Sequence, residues 1–388
     1  MTGNVTSIAQ ARAAARLRDE TSQVNNRLAT AVLVVTVVLL VIGLGATLSA
    51  SSTRGLTDAQ DRFYYFKRQL LGLGIGTVTM IVLSRVPYRF HRRIAVPLYF
   101  LTAGALFLVL LIGDSRNGSR RWLDLGPISF QPSELAKLAV ILSLAVMMEK
   151  KVGLLDSFGH FLAPVLFYVG GMALLIMAEP DLGTTITVGA AALGVLLASP
   201  APLRYVAFSG GAAAGAAAIL AMTADYRVSR ITGFLDPWKD AAGAGYQLIQ
   251  GYLALGTGGM FGVGLGASRA RWYYLPNAHT DFIFAIIGEE TGLLGGFVVI
   301  ALFVTLALTG WAISSRAPDR FSRMVAAGIT AWISFQALVN VGGVLGVIPI
   351  TGIVLPFVSY GSTALIATMA AIGILVNIAQ QGVNRSTA

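Results

Sequence analysis

The chain has 388 residues, of which 55% are hydrophobic and only 12% are charged, and its mean hydropathy is +0.73. This composition excludes an ordinary soluble globular protein and predicts an integral membrane protein. The net charge of +10 does not indicate nucleic-acid binding, because the basic residues lie at the ends of apolar runs, where anionic membrane lipid is the expected partner. The chain has no cysteine and only three scattered histidines, which excludes disulfides and thiolate metal sites and argues against a histidine metal cluster.

The N-terminal segment, residues 1–27, is polar and rich in arginine. It leads into the first apolar run without a convincing cleavage site, which argues against a secretory signal peptide. We expect this segment to be a disordered cytoplasmic tail and residues 383–388 to be a second cytoplasmic tail. The transmembrane domain then covers residues 28–382.

Ten apolar runs follow the N-terminal segment, each near the ~20 residues that a helix needs to cross a bilayer. Most prolines fall at or between the ends of these runs, and the others lie in a first helical turn, where proline is tolerated. The predicted fold class is an all-α polytopic membrane protein with about ten transmembrane helices. The predicted spans are 28–49, 65–86, 95–113, 131–149, 161–178, 182–199, 204–222, 281–313, 324–347 and 363–381.

The predicted topology places both termini in the cytoplasm, because the number of spans is even and arginines precede the first span. The outside segments nevertheless carry many Lys and Arg residues, which an anionic ligand at the outer face would explain. A large extracytoplasmic loop, residues 223–280, connects helices 7 and 8. Its aromatic and apolar residues argue against disorder, and we expect it to fold back over the membrane.

The segment RRWLDLGPISFQPSELAK, residues 120–137, ends inside the fourth span. Glu134 and Lys137 lie one helical turn apart on one face, where a charge pair is costly unless it meets a polar cavity or further partners. An internal ion pair that fixes helix packing is one interpretation. A cavity wall that also contacts substrate is the interpretation we favour. In AEPDLGTT, helix capping explains Asp181 about as well as function does.

The segment YLPNAHTDFIFAIIGEETG, residues 274–292, contains three carboxylates in apolar surroundings. Asp281 begins the eighth span, where it is either a helix-capping acid or a functional group at the water boundary. Glu289 and Glu290 follow about 12 Å further along the helix, too deep for chemistry at that boundary. Adjacent helical residues point about 100° apart, so we interpret these two as braces to neighbouring parts of the protein.

Gly262, Gly264 and Ala267 match the G-x-G-x-x-A pattern of dinucleotide-binding sites. That pattern requires a parallel-sheet unit around it, which the surrounding sequence does not predict. Close backbone packing or a mobile turn is the better interpretation.

Four segments occur in this order along the chain: RRWLDLGPISFQPSELAK, AEPDLGTT, YLPNAHTDFIFAIIGEETG and NVGGVLGVIPITGIVLPFVSYG. Together they resemble the SEDS family of FtsW, RodA and SpoVE. The resemblance runs from the first span to the last, and the segments GEE and LPF are more similar to the division member FtsW than to the elongation member RodA. The sequence departs from the family after SY, where Gly361, Ser362 and Thr363 stand in place of a glycine doublet followed by serine.

The resemblance implies a peptidoglycan glycosyltransferase that polymerises lipid II at the outer face of the cytoplasmic membrane, in septal synthesis during cell division. It implies a class B penicillin-binding protein as partner, together with other membrane proteins of the divisome. It makes Asp281 the catalytic carboxylate and places Glu134 and Lys137 in the wall of a polar cavity. It also implies a divalent cation, Mg²⁺ or Mn²⁺, and no organic cofactor.

The implied chemistry fits the residues, because an inverting sugar transfer needs one base and a cationic group for the departing diphosphate. Two alternatives stay open: a lipid II flippase, which would also need intramembrane charges, and a non-catalytic divisome scaffold. The candidate phosphate-binding cations are Arg116, Arg120, Arg121, Lys137, Arg227, Arg230, Arg269 and Arg271. Further candidate substrate-binding or cavity residues are Trp122, His279 and Thr280.

Overall fold

The computed structural model describes residues 3–116, 119–124, 126, 129–272 and 274–384, which form a helical bundle with one small sheet. The helices are α1 (Gly3–Ala59), α2 (Tyr64–Arg85), α3 (Tyr88–Ile112), α4 (Pro132–Lys150), α5 (Phe158–Pro164), α6 (Gly171–Ala178), α7 (Leu182–Ala198), α8 (Leu203–Ala221), α9 (Asp225–Leu235), α10 (Tyr246–Gly258), α11 (Ile283–Ser315), α12 (Arg320–Val344) and α13 (Ser362–Asn384). The antiparallel sheet has the order β1 (Asp114–Arg116), β2 (Ser119–Asp124) and β3 (Ser129–Phe130).

Among the described residues, eight helices are long and apolar enough to cross a membrane. One of them, Phe158–Ala178, comprises α5, a π-helical turn over Val165–Gly170, and α6. The two remaining predicted spans correspond to α4, which carries four charged residues, and to α7, which has 17 residues. The all-α polytopic membrane fold is therefore confirmed, while the number of ten spans stays a prediction.

The N-terminal segment differs from the disorder expected for residues 1–27, because α1 runs continuously from Gly3 to Ala59. The sequence AQARAAARLRDE within it consists largely of strong helix formers, which lets the first span extend toward the N-terminus. The predicted C-terminal tail overlaps the end of α13, and residues 385–388 lie outside the described residues.

The centre of the bundle is formed by α12 and α13. In their most apolar 18-residue stretches, 72% and 89% of the residues are buried, against 6% in α8. Together with α4 and the first turns of α11, these helices bury large side chains such as Trp332 and Phe282. Close packing of this kind fixes the positions of the surrounding helices relative to the central ones. The ends of these helices carry most of the candidate site.

Helix α11 is broken at Gly292, where the backbone has φ +69° and ψ −168°. The glycine-rich segment 259–264 lies against the break and satisfies backbone groups on both sides of it. Inside a membrane such groups need a protein partner, because lipid offers none. Four N–H to carbonyl hydrogen bonds join the two segments, from Leu293 to Gly259 (2.9 Å), Leu294 to Met260 (3.4 Å), Val263 to Glu289 (3.0 Å) and Gly264 to Glu290 (3.1 Å).

Gly262 makes the closest approach between the glycine-rich segment and α11. A Cβ atom at this position would lie 2.1 Å from the carbonyl oxygen of Glu290, and the backbone φ of +80° favours glycine. The close-packing interpretation is therefore confirmed for Gly262, while a Cβ atom at Gly264 would meet nothing within 4 Å. The longer connection that contains it, residues 223–280, is built around α9 and α10.

Candidate active site

Asp281 lies two residues before the first residue of α11, at the end of the bundle where hydrogen bonds also bring the starts of α4 and α13 together. The N-cap of α11 is Phe282, and no side chain caps this helix, so the capping interpretation of Asp281 is wrong. The half-buried Asp281 lines a small pocket together with Asn340 near the end of α12 and Gly352 in the segment that follows α12. Burial raises the pKa of its carboxyl group, and it outweighs the opposing effect of the Arg230 guanidinium.

Arg230 and Asp281 approach the same point on the backbone, at Gly352. A Cβ atom built on Gly352 would lie 3.5 Å from Nη1 of Arg230 and 3.6 Å from Oδ2 of Asp281, and φ is +76°. A Cβ atom there would be in ordinary van der Waals contact with both groups, so the carboxylate and the guanidinium lie next to the same residue. Arg230 is exposed, so its remaining donors are accessible to an anionic ligand.

The turn between α6 and α7 is attached to β2 through Arg121. The Arg121 guanidinium donates to the carbonyl oxygens of Glu179 (2.8 Å) and Pro180 (2.7 Å), and its Nη1 lies 3.6 Å from Oδ2 of Asp181. Asp181 caps α7 by accepting hydrogen bonds from the backbone N–H and hydroxyl of Thr184, at 3.0 and 2.9 Å, which confirms its capping role. This turn lies near the pocket, because a Cβ atom built on Gly183 would lie 3.1 Å from the carbonyl oxygen of Thr351, which lines the pocket. The negative charge of Asp181 accordingly adds to the rise in the pKa of Asp281.

Glu179, in the same turn, is completely buried. Neither of its carboxylate oxygens accepts a hydrogen bond from a described residue. Burial, with a smaller contribution from the charge of Asp181, raises the pKa of Glu179 to about 8. The side chain is therefore protonated at neutral pH, a property that its place in a sequence turn did not indicate.

The Glu134–Lys137 pair is buried in α4, with Nζ of Lys137 2.7 Å from Oε2 of Glu134. The ammonium group also donates to Oε1 of Gln336 at 3.3 Å and lies 5.0 Å from the ring centre of Trp332. These partners satisfy the requirement for a charge pair at this depth. The internal ion pair of the first interpretation is therefore present, and it has polar neighbours as the second interpretation requires. Contact with substrate stays a prediction.

A row of polar side chains on α12 joins the charge pair to the Asp281 pocket. Trp332, Gln336 and Asn340 follow one another at four-residue spacing and so share a face. Gln336 donates to the carbonyl oxygen of Val354 at 3.0 Å, one residue after the carbonyl of Ile353 that Asn340 contacts. The sequence analysis missed this row, although polar residues four apart in an apolar helix were visible in the sequence.

His279 and Thr280 anchor the segment that carries Asp281. The His279 ring is 6% exposed and packs against Tyr65 and Tyr360, with ring centres 5.2 and 5.6 Å away. Burial lowers the pKa of His279 to about 4, so the ring is neutral at physiological pH. Tyr360 donates its N–H to the carbonyl of His279 (2.9 Å), and Ser359 donates its hydroxyl to the carbonyl of Thr280 (2.6 Å).

Other candidate cations have partners of their own. The Arg227 guanidinium donates to the carbonyl of Leu220 at 2.8 Å and to the hydroxyl of Tyr226 at 2.9 Å. Exposed Arg120 donates to the carbonyl of Leu111 at 3.3 Å, and Trp122 is half-buried on β2. The side chain of Arg116 lies outside the described residues.

Glu289 and Glu290 are braces, as the sequence analysis inferred. Glu289 accepts hydrogen bonds from the hydroxyl of Ser268 and from the backbone N–H groups of Arg269 (3.0 Å) and Ala270 (3.3 Å). Glu290 accepts from the hydroxyl of Ser49 on α1, to which Arg271 also donates at 3.2 Å. The predicted candidates Arg269 and Arg271 are thus tied to the braces of α11.

A metal site made by the protein alone does not fit the described residues. They include no group of three or more His, Cys, Asp or Glu side chains that could hold an ion. Asp181, the carboxylate near Asp281, uses its oxygens to cap α7 and to meet Arg121. Asp281 is the remaining carboxylate at the pocket.

Comparison with known proteins agrees with this architecture. Residues 30–384 match the FTSW_RODA_SPOVE family, described as cell cycle protein. The chain is 41% identical over 350 residues to stage V sporulation protein E of Bacillus subtilis strain 168, covering 89% of this chain and 95% of that protein. It is 39% identical over 349 residues to the probable peptidoglycan glycosyltransferase FtsW of Geobacter sp. strain M18, with coverage of 89% and 95%.

A solved chain has the same fold along almost its whole length. It comes from a structure described as the structural coordination of polymerization and crosslinking by a peptidoglycan synthase complex. The two chains superpose with a TM-score of 0.74 and 29% identity, covering 90% of this chain and 97% of the other. The match to the family and the extent of these similarities show that the chain belongs to the FtsW, RodA and SpoVE family.

Proposed function

We propose that the protein is a peptidoglycan glycosyltransferase that polymerises lipid II at the outer face of the cytoplasmic membrane. The observation that carries the proposal is the half-buried Asp281 carboxylate, which lies beside Arg230 where the segment before α11 meets Gly352. A relative 39% identical to this chain is named a probable peptidoglycan glycosyltransferase. On the predicted topology both termini are cytoplasmic and this pocket is extracytoplasmic.

In the proposed reaction, the 4-hydroxyl oxygen of one sugar attacks the anomeric carbon of another. The new C–O bond forms while the bond from the anomeric carbon to the diphosphate oxygen breaks, with inversion at that carbon. Asp281 accepts the hydroxyl proton. Its raised pKa suits this role, because a general base works best when its pKa lies closer to the operating pH.

The departing undecaprenyl diphosphate carries a negative charge that needs a cation. Arg230 is proposed as that cation, because its guanidinium is exposed and lies beside the same glycine as the base. Lys137 on α4 lies at the other end of the row of polar side chains on α12, where Glu134 balances its charge. Arg120, Arg121 and Arg227 instead donate to backbone carbonyl groups.

A divalent cation, Mg²⁺ or Mn²⁺, is proposed to arrive with the substrate. Such ions are commonly held by one or two carboxylates together with substrate phosphates, which suits a pocket where Asp281 is the available carboxylate. The ion would supply additional positive charge for the diphosphate. No organic cofactor is proposed.

A class B penicillin-binding protein is the proposed partner, because the similar solved chain belongs to a peptidoglycan synthase complex that coordinates polymerization and crosslinking. A septal role, with other membrane proteins of the divisome, is proposed from the similarity to an FtsW protein. A relative at 41% identity is named stage V sporulation protein E, so peptidoglycan synthesis during sporulation is the alternative role.

The decisive experiment is polymerisation of lipid II in detergent by the purified protein with its penicillin-binding partner. We expect Asp281→Asn to reduce the rate about 100- to 10,000-fold, the range for loss of a general base, while the protein stays folded. Asp236→Asn, which changes an exposed carboxylate in the loop before α11, serves as the matched control and should retain activity.

The same assay separates the alternatives. A flippase gives no polymer when lipid II is supplied in detergent, because no bilayer remains to be crossed. A scaffold predicts that Asp281→Asn is harmless to synthesis. Wild-type activity retained by the purified Asp281→Asn protein would therefore contradict the assignment of the base.

A further inference from the structure

Asn340 connects two segments that form the Asp281 pocket. Its side-chain Nδ2 donates to the carbonyl oxygen of Asp281 at 2.9 Å and to the carbonyl oxygen of Ile353 at 2.7 Å. Both partners are acceptors, so only the NH₂ side of the amide can face them, and this fixes the orientation of the side chain. The single amide group thus joins the chain before α11 to the chain that carries Gly352.

The other side of the same amide has no comparable bonds. Asn340 is 4% exposed, and its buried Oδ1 accepts no hydrogen bond from a described residue. An unpaired buried acceptor is unfavourable and is found where another requirement is stronger. The two donated bonds are the requirement visible here, because they leave Oδ1 facing away from both carbonyl groups.

We propose that Asn340 is a positioning residue for Asp281, which holds the base and the Gly352 segment at a fixed separation. The proposal rests on the proposed function of Asp281 as the base. The residues on either side of the joint explain its effect. Asp281 carries the carboxylate, and Ile353 follows the glycine beside which both that carboxylate and Arg230 lie.

Loss of the Asn340 bonds frees two carbonyl groups at once. The Asp281 segment keeps its other anchors at His279 and Thr280, so the chain stays folded while the carboxylate loses its fixed distance from Gly352. A displacement of about 1 Å at a reacting group can cost ~100-fold in rate. The expected effect falls on turnover, because the group that is displaced is the proposed base.

The test compares Asn340→Leu with Asn377→Leu in the full chain. Asn377 is a matched control, because it is also buried in an apolar helix and donates to a backbone carbonyl, that of Ser84, at 2.7 Å. We expect Asn340→Leu to lower kcat about 100-fold with KM within about threefold. Asn377→Leu should keep kcat close to wild type per folded protein. Asn340→Ala, which cannot introduce a clash, provides a second variant if the leucine form does not fold.

A second readout, amide hydrogen exchange, does not depend on activity. Exchange should rise in residues 277–285 and 350–356 of the Asn340 variants, and not in the Asn377 variant. Unchanged exchange in those segments, or an unchanged kcat while Asp281→Asn is inactive, would overturn the positioning role. If Asp281→Asn retains activity, the proposed base is wrong. Asn340 is then judged by exchange alone, where a rise still supports its structural link to Asp281.

Discussion

Replacing Glu179 with glutamine should change how the stability of the protein depends on pH. Glu179 is completely buried without hydrogen-bond partners for its carboxylate among the described residues, and its pKa is raised from 4.5 to about 8. Between these two pH values the folded protein holds a proton that the unfolded chain has lost. The free energy of unfolding therefore falls as pH rises through this window.

The size of the effect follows from the two pKa values. Each pH unit in the window costs about 1.4 kcal/mol, so the complete loss between pH 4.5 and pH 8 is about 5 kcal/mol. Glu179→Gln replaces the acid by a neutral group of the same shape, so this contribution disappears. Unfolding is measured in mixed micelles at each pH. The free energy of unfolding of the variant, relative to that of wild type, should rise by about 4 kcal/mol from pH 5 to pH 8.

The control for this measurement is Asp236→Asn, which removes an exposed carboxylate from the outer loop. Its stability relative to wild type should not change across the same pH range. A stability difference between Glu179→Gln and wild type that is constant from pH 5 to pH 8 would refute the reasoning. It would mean that the Glu179 carboxylate finds water or a cation when it ionises.

Two further substitutions test the packing around the site. Gly262→Ala should lower the free energy of unfolding by at least about 2 kcal/mol, because its Cβ would meet the carbonyl of Glu290 and the backbone φ is positive. Gly256→Ala, where a Cβ meets open space, should be neutral, and equal denaturation midpoints for the two variants would contradict this packing. Lys137→Met should cost about 3–5 kcal/mol by leaving Glu134 buried and unpaired. Adding Glu134→Gln should recover most of that loss, and a double variant as unstable as Lys137→Met would show that the unpaired Glu134 charge is not the cause of the loss.

The membrane fold could be predicted from the sequence because its signal is local. An apolar run of sufficient length becomes a helix whatever its neighbours are, since a bilayer requires internal backbone hydrogen bonds. The same argument did not anticipate the break at Gly292. That break depends on the segment 259–264, which comes back to supply partners for the freed backbone groups. A contact between two distant segments produces no periodic pattern of residues in either segment, so the sequence does not reveal it.

The candidate site could be predicted only in part, for the same reason. Asp281, Glu134 and Lys137 stand out as charges in apolar surroundings, and the structure links them through α12. The connecting residues, Gln336 and Asn340, are uncharged and donate to backbone carbonyl groups. Every residue has such a group, whatever its side chain. Their partners could therefore not be inferred from sequence, although the polar spacing could have drawn attention to them.

The departure from the family after SY also acquires a structural explanation. The hydroxyl of Ser362 donates to the carbonyl of Arg68 on α2 at 3.1 Å, and the hydroxyl of Thr363 donates to the carbonyl of Ser129 on β3 at 2.8 Å. The backbone N–H of Gln131 donates in turn to Thr363 at 3.3 Å. The Thr363 bonds attach the start of α13 to the strand that precedes α4, which carries the Glu134–Lys137 pair, and the Ser362 bond attaches it to α2.

The structure also changes the meaning of the many cations in the predicted outside segments. The sequence analysis attributed them to an anionic ligand, but Arg121, Arg227 and Arg271 direct donors to carbonyl and hydroxyl groups of the protein. Arginine suits this work, because its planar guanidinium satisfies several carbonyl oxygens in irregular loops. The number of outside cations therefore overstates the charge that a ligand must carry. Arg230 differs from these three because it is exposed and lies beside Asp281, and one such cation next to one carboxylate matches the needs of a single sugar transfer.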